Sequence, residues 1–308
     1  MGRLLTALFL FAMLAGCGED MESVNQVSKF RVLAVQADPP EIKPGEGTRL
    51  TVLWADPKGE GREVSFVWIT CLGYLSASAD LASSCEPFSM PQMKTAEEGG
   101  DVYLIPFTPP DALAKMLPGE TRLEVTATVL GCAGGTLPSL DDLMDAKNAP
   151  ALDEMCAGGE SFTAFKTFVI SDSDAPNTNP EIDKLYFDSK LLLPVEEDGV
   201  GVFKCTASDG CRSDIAVKLY FTEDSFQTYE KTTFGKTEVV DEANYVSWFV
   251  SGGEMGRDRS GTSEPPGPYE VKWLPPLDGG KYTLWAVAHD VRGGVSWKTY
   301  SVEARTAK

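Results

Sequence analysis

The chain holds a single histidine, His289, among 308 residues. Any Ser-His-Asp or Cys-His catalytic arrangement has to use it. G-x-S-x-G, H-E-x-x-H and P-loop signatures are all missing, so the common hydrolase, zinc-protease and nucleotide-phosphate motifs are excluded. The absence of C-x-x-C, together with the lone His, leaves little for a zinc site. Positive charge is scarce and scattered: Lys and Arg total 27 against 46 Asp and Glu, a formal charge of −19. Without a clustered basic run, nucleic acid and anionic lipid lack their electrostatic footprint. The longest apolar run, Leu4 to Leu14, is broken only by Thr6. It is too short to cross a hydrocarbon core, which needs roughly 20 residues.

That run follows Met1-Gly2-Arg3 and ends in Leu14-Ala15-Gly16-Cys17. A basic start, a short apolar core and small residues read as a secretory signal. Leu-Ala-Gly-Cys resembles the lipobox of bacterial lipoproteins. The resemblance implies cleavage before Cys17 and lipid on its thiol and new N-terminus. Acyl chains at ~0.8 kcal/mol per buried CH₂ would make that anchor stable. Gly18, not Asp, follows the cysteine, a pattern similar to outer-membrane cargo, facing either the periplasm or the cell surface.

Lipid on Cys17 leaves six cysteines in an exported chain, which reads as disulfides. Cys71 and Cys85 bracket one excursion and Cys132 and Cys156 a second, so each pair is expected to close its own loop. A Cys71–Cys132 bridge is the alternative. Cys205 and Cys211 form a tight loop staple.

Residues 18–28 are polar and read as a tether to the membrane. The rest is β in pattern, with short alternating runs separated by Pro/Gly turns. Strands are expected at 30–35, 49–54, 64–71, 102–107, 121–130 and 161–170, with 38–47 as a turn and edge segment. In the second loop Ser139 is expected to cap a short helix with Asp142 as its back-partner. The stretch 172–180, with no apolar residue except Ala and Pro, separates a second set of strands at 183–187, 214–221, 245–250, 268–274 and 295–304. Asp278 to Leu284 leads into a further strand there, and Arg292-Gly293-Gly294 is a hairpin turn.

"PPEIKPGEGTRLTVLWADP" resembles the opening strands of bacterial Ig-like modules, and "VSFVWITC" resembles Ig strand C with Trp68 as the core tryptophan. Cys71 and Cys132 depart from the usual inter-sheet bridge. Near the C-terminus "DGGKYTL" resembles the D-x-G-x-Y-x-C of strand F, with Leu284 in the Cys position. Tyr282 would be the corner tyrosine, its hydroxyl bonded back to backbone. "GGKYTLWAVAHDVRGG" also looks like PKD-type modules. The resemblance implies an all-β fold of two tandem Ig-like antiparallel sandwiches, residues 29–171 and 181–308, joined by 172–180 and preceded by a signal peptide, 1–16, and a lipidated tether, 17–28.

Three features are candidates for function. If Trp248 and Leu284 point into the core, alternation puts Phe249 and Trp285 on the outer face of the same sheet, with Trp297 or Tyr300 beside them. Such an aromatic stripe suits a protein partner or a polysaccharide. The disulfide-closed segment 132–156 is a second contact candidate. Asp172-x-Asp174 superficially resembles the Asp-rich linkers of cadherin-type domains, which bind Ca²⁺. Acidic runs such as Glu196-Glu197-Asp198 and Asp141-Asp142 read as surface turn and helix. The expectation is a lipid-anchored envelope protein for interaction or structure, without catalysis, metal or nucleic acid. A carbohydrate-binding module is the alternative, and a hydrolase ranks last.

Overall fold

The structure is a computed structural model. It describes residues 23–56, 62–72, 92–96, 105–107, 122–139, 142–143, 154–204, 213–233, 236–262 and 264–305. These are mostly strands, with almost no helix. In the N-terminal half they are β1 (Arg31–Asp38), β2 (Glu41–Ile42), β3 (Thr48–Ala55), β4 (Val64–Leu72), β5 (Gln92–Ala96), β6 (Ile105–Phe107), β7 (Arg122–Ala133) and β8 (Glu160–Ser171). The C-terminal half has β9 (Ile182–Phe187), β10 (Lys190–Leu192), β11 (Val200–Lys204), β12 (Ile215–Phe221), β13 (Thr228–Thr233), β14 (Lys236–Asp241), β15 (Asn244–Val250), β16 (Glu254–Met255), β17 (Arg259–Gly261), β18 (Tyr269–Leu274), β19 (Gly280–Asp290) and β20 (Val295–Arg305).

Each half pairs two sheets around its own core, in a β-sandwich. The N-terminal sheets run β1-β3-β6 and β2-β8-β7-β4-β5. The Pro-flanked β2 is an edge strand that pairs in parallel with Val169 and Ile170 of β8. The C-terminal sheets run β10-β9-β12-β18-β16 and β11-β20-β19-β15-β17. Period-2 alternation sends Val125, Ala127 and Val129 of β7 inward beside Phe66 and Trp68. In the same way Val246 and Trp248 of β15 meet Leu284, Ala286 and Ala288 of β19. Trp248 keeps its indole N–H satisfied by Ser260 Oγ at 2.8 Å. Tyr282 donates its hydroxyl to the carbonyl of Gly279 at 2.6 Å, the corner bond expected of it.

Cys132 is bridged to Cys156. Among the described residues of the segment they close, Leu137, Leu143 and Met155 pack with Val67, Ile69 and Leu130 on the outer face of β4 and β7. Ser139 caps it as expected: its Oγ accepts from the Asp142 N–H at 3.2 Å and donates to Asp142 Oδ2 at 2.6 Å. The hairpin β13–β14 is a separate two-stranded sheet that the sequence patterns do not announce.

The two halves lie against each other through sheet faces. A bulge at Leu33 breaks the alternation of β1, so Leu33 and Ala34 both face outward while Val35 and Ala37 remain inside. Leu33 and Ala34, with Leu53 and Ala55 of β3, pack on Trp285, Val287 and Val295 of the C-terminal half. The β1–β3 face is thereby covered on both sides, which explains its near-continuous apolar run.

Residues 23–27 do not form a free tether, contrary to expectation. Val27 donates its N–H to the Val250 carbonyl at 2.9 Å, and Val250 donates to the Asn25 carbonyl at 2.9 Å. The Asn25 side chain donates to the Arg257 carbonyl at 3.1 Å. Asn25 and Val27 are buried. Satisfied backbone groups and an apolar side chain in a pocket hold this segment to the C-terminal half.

Candidate functional site

The aromatic stripe is assembled, but it is not an open surface. β15 and β19 place Phe249 opposite Trp285, and β19 and β20 place Val287 opposite Trp297. These side chains share the outer face as alternation requires. The N-terminal half covers them: Trp285 is 9 % exposed within the inter-half cluster, and Phe249 and Trp297 pack at its margin. Arg31 lies over the Phe249 ring at 5.2 Å. Tyr300 is opposite Leu284, so it points into the core and is 1 % exposed. Exposure is therefore corrected for Trp285 and Tyr300, which are buried, while Phe249 and Trp297 are half-buried. A flat polysaccharide-docking surface is not available there.

Beside this apolar contact, a polar cluster spans the junction. Glu41 on β2 is buried. It accepts from Ser171 Oγ at 2.5 Å, from the Asn177 N–H at 2.8 Å and from Arg292 Nη2 at 2.9 Å. Arg292 also lies over the Tyr229 ring at 4.9 Å. Burial would raise the Glu41 carboxyl, but the Ser171 and Asn177 bonds, with Arg292 and Arg122, together hold it below its ordinary value.

Asp290 organises the hairpin turn that carries Arg292. Its Oδ1 accepts from the N–H groups of Arg292 and Gly294, each at 2.7 Å, and its Oδ2 accepts from Asn177 Nδ2 at 3.1 Å. Gly293 has φ +99°, where a side chain is strained. Its carbonyl accepts a bond from the buried Lys166 ammonium of β8. Asn179 joins both halves, donating to Ala37 O and accepting from Val295 N, each at 2.9 Å.

Three titrations in this region are displaced. Burial lowers Lys166 to about 8, against the attraction of Asp290. Burial and Asp290 raise Glu242 to about 7, opposed by Arg292 and a backbone bond from Gln227. Burial, then Lys166 and Arg259, lower His289 to about 4. Its ring stacks on Tyr245 with centroids 4.6 Å apart. Lys166 already serves the Gly293 carbonyl and Glu41 already serves Arg292. The cluster compensates charge across a packed interface.

A cleft of about 630 Å³ opens at this end of the junction, lined by Glu41, Arg122, Asp172, Asp174, Tyr229 and Arg292 among others. Asp172 and Asp174, the candidate Ca²⁺ ligands, thus share its wall with two arginines, which oppose a cation. Among the described residues no group of three or more His, Cys, Asp or Glu is placed to hold a metal ion.

Of the expected cysteine roles, the 132–156 pair is the one the structure places. Cys17, Cys85, Cys205 and Cys211 lie outside the described residues. Cys71 is on β4, its side chain outside what is described. Sequence patterns missed the junction cluster. The signal present for it was Asp290-x-Arg292-Gly-Gly, a turn with an acceptor two residues before the arginine.

No family model matches this chain, and no curated protein matches it. Solved structures match this chain at low similarity. Dimeric latent PorU from Porphyromonas gingivalis is 13% identical with a TM-score of 0.23, over 91% of this chain and 24% of that one. Red sea bream transglutaminase is 10% identical with a TM-score of 0.26, over 90% and 32%. The chain thus spans a third or less of these two proteins. The N-terminal Ig1-2 module of the Drosophila receptor protein tyrosine phosphatase DLAR is 9% identical with a TM-score of 0.24, over 91% of this chain and all of that module.

Proposed function

We propose that this chain is a lipid-anchored outer-membrane protein in which two tandem Ig-like domains, residues 29–171 and 181–308, act as one rigid, non-catalytic unit. Its role is protein interaction or envelope structure. One observation carries the reading: the aromatic face of the second domain is spent on the first domain, and a buried ion pair and hydrogen bonds lock the junction beside it. A ligand-binding module keeps such a face open; a spacer or scaffold covers it. The displaced acid and base groups belong to the same junction, which fits charge compensation and not turnover. Leu14-Ala15-Gly16-Cys17 supports the anchor.

Mass spectrometry of the mature N-terminal peptide tests the anchor: lipid on Cys17 is expected, and Cys17→Ser should release the protein from membranes. Crosslinking in intact cells, with identification of what co-purifies, tests the role. An unmodified, freely soluble mature chain would overturn the proposal.

A further inference from the structure

The segment Ser23–Val27 constrains how the molecule meets a membrane. It is the part of the chain nearest Cys17 that the structure describes, and it is fastened to the C-terminal half. Val27 and Asn25 bracket Val250 by backbone hydrogen bonds, and the Asn25 amide reaches the Met255 and Arg257 carbonyls at 3.4 and 3.1 Å. Gln26 donates to the Ser23 carbonyl at 3.0 Å, closing a turn. Arg31 donates to the Val24 carbonyl and lies over Phe249, so the N-terminal half clamps the segment from the other side. Asn25 is 2 % and Val27 1 % exposed, while Val24, on the turn, is 60 % exposed.

Cys17 precedes Ser23 by six residues. Six residues span at most about 20–22 Å when fully extended. A lipid on Cys17 therefore enters the bilayer within that radius of Ser23, a reach that takes in β17 and the exposed Arg257. We infer that the C-terminal half is the membrane-proximal one, and that its surface around Val24 and Arg257 faces the lipid headgroups. The order along the chain suggests the reverse, with the N-terminal domain nearest the membrane. The fold inverts it, because the chain first visits the C-terminal half and only then enters β1. This inference rests on the lipid anchor proposed above.

The test uses the full lipidated chain in vesicles of phosphatidylethanolamine and phosphatidylglycerol. A photoreactive phenylalanine analogue replaces Arg257, or in separate preparations Asp174 at the linker or Lys43 after β2 in the N-terminal half, all exposed. Lipid adducts after irradiation are counted by mass spectrometry. Several-fold more adduct at position 257 than at 174 or 43 is expected. Val27→Asp, which puts a charge in the pocket of a peripheral segment, should erase that contrast while circular dichroism keeps its β signature. Equal yields at the three positions, or a larger yield at 174 or 43, would overturn the orientation and leave the anchor standing. A mature native chain that carries no lipid on Cys17 would overturn both.

Discussion

Glu242→Gln should stabilise the protein above neutral pH and leave it unchanged near pH 4.5. Glu242 is 4 % exposed, and among the described residues its Oε1 has no hydrogen-bond partner. Burial and the neighbouring Asp290 raise it from 4.5 to about 7. The folded state therefore binds a proton that the unfolded state has released between these values. Stability falls as pH rises through that window and stays reduced above it. At 1.36 kcal/mol per unit the penalty at pH 8 is about 3 kcal/mol. Glutamine is neutral and nearly isosteric, so it removes the penalty and puts an N–H where the proton sat. For a unit of this size the gain is roughly 5–10 °C in Tm. His289 works in the opposite sense: lowered from 6.5 to about 4, it is neutral when folded, and its contribution is lost as pH falls through that range. The two slopes nearly cancel between about 4.5 and 6.5, so the native protein should look indifferent to pH there. Thermal unfolding of native and variant protein from pH 4 to 8 separates them. The variant should show the His289 slope alone, rising to a plateau near pH 6.5. A variant that parallels the native curve, with no gain at pH 8, would refute the assignment of Glu242 as a buried, proton-holding carboxyl.

Arg292→Met removes the partner of Glu41 while leaving that carboxylate buried, and should cost about 3–5 kcal/mol in urea unfolding; Glu41→Gln in the same background should recover part of it. Trp285→Ala empties the centre of the inter-half contact, with an expected loss of about 3 kcal/mol and faster proteolytic nicking within 172–180, since the linker is protected only while the halves stay together. Gly131→Ala places a Cβ within 1.8 Å of the Phe162 ring; the ring also packs on Phe30 and Phe66, so overpacking of about 1–3 kcal/mol is expected in calorimetry. Cys132→Ser opens a loop whose closure contributes about 3 kcal/mol in the chain-entropy account, measurable as a lower urea midpoint.

Much of the fold is legible in the sequence because its causes are local. Alternation in 123–129 and 215–221 follows from the pleat, which sends every second side chain to one face. The corner bond of Tyr282, the Ser139–Asp142 cap and the Gly293 turn each depend on residues within three or four positions. The 132–156 bridge was the simplest closure of a loop between two cysteines. The aromatic stripe marks the limit. Its face assignment is correct for Phe249, Trp285 and Trp297, because the period alone decides it. What covers that face was not legible, and Tyr300 fell on the other side because its register against Leu284 is set by strand pairing.

The sequence by itself determined that this is a β protein in two halves and which residues turn inward. The tertiary structure alone decided that the halves pack face to face, that residues 23–27 belong to the C-terminal half, and that Glu41 meets Arg292 across 251 positions. Periodicity reports the side of a strand on which a side chain lies and is silent about what comes to rest there. Contacts between distant segments are chosen by the fit of whole surfaces, here by a bulge at Leu33 and a turn around Asp290, and no local pattern encodes that fit.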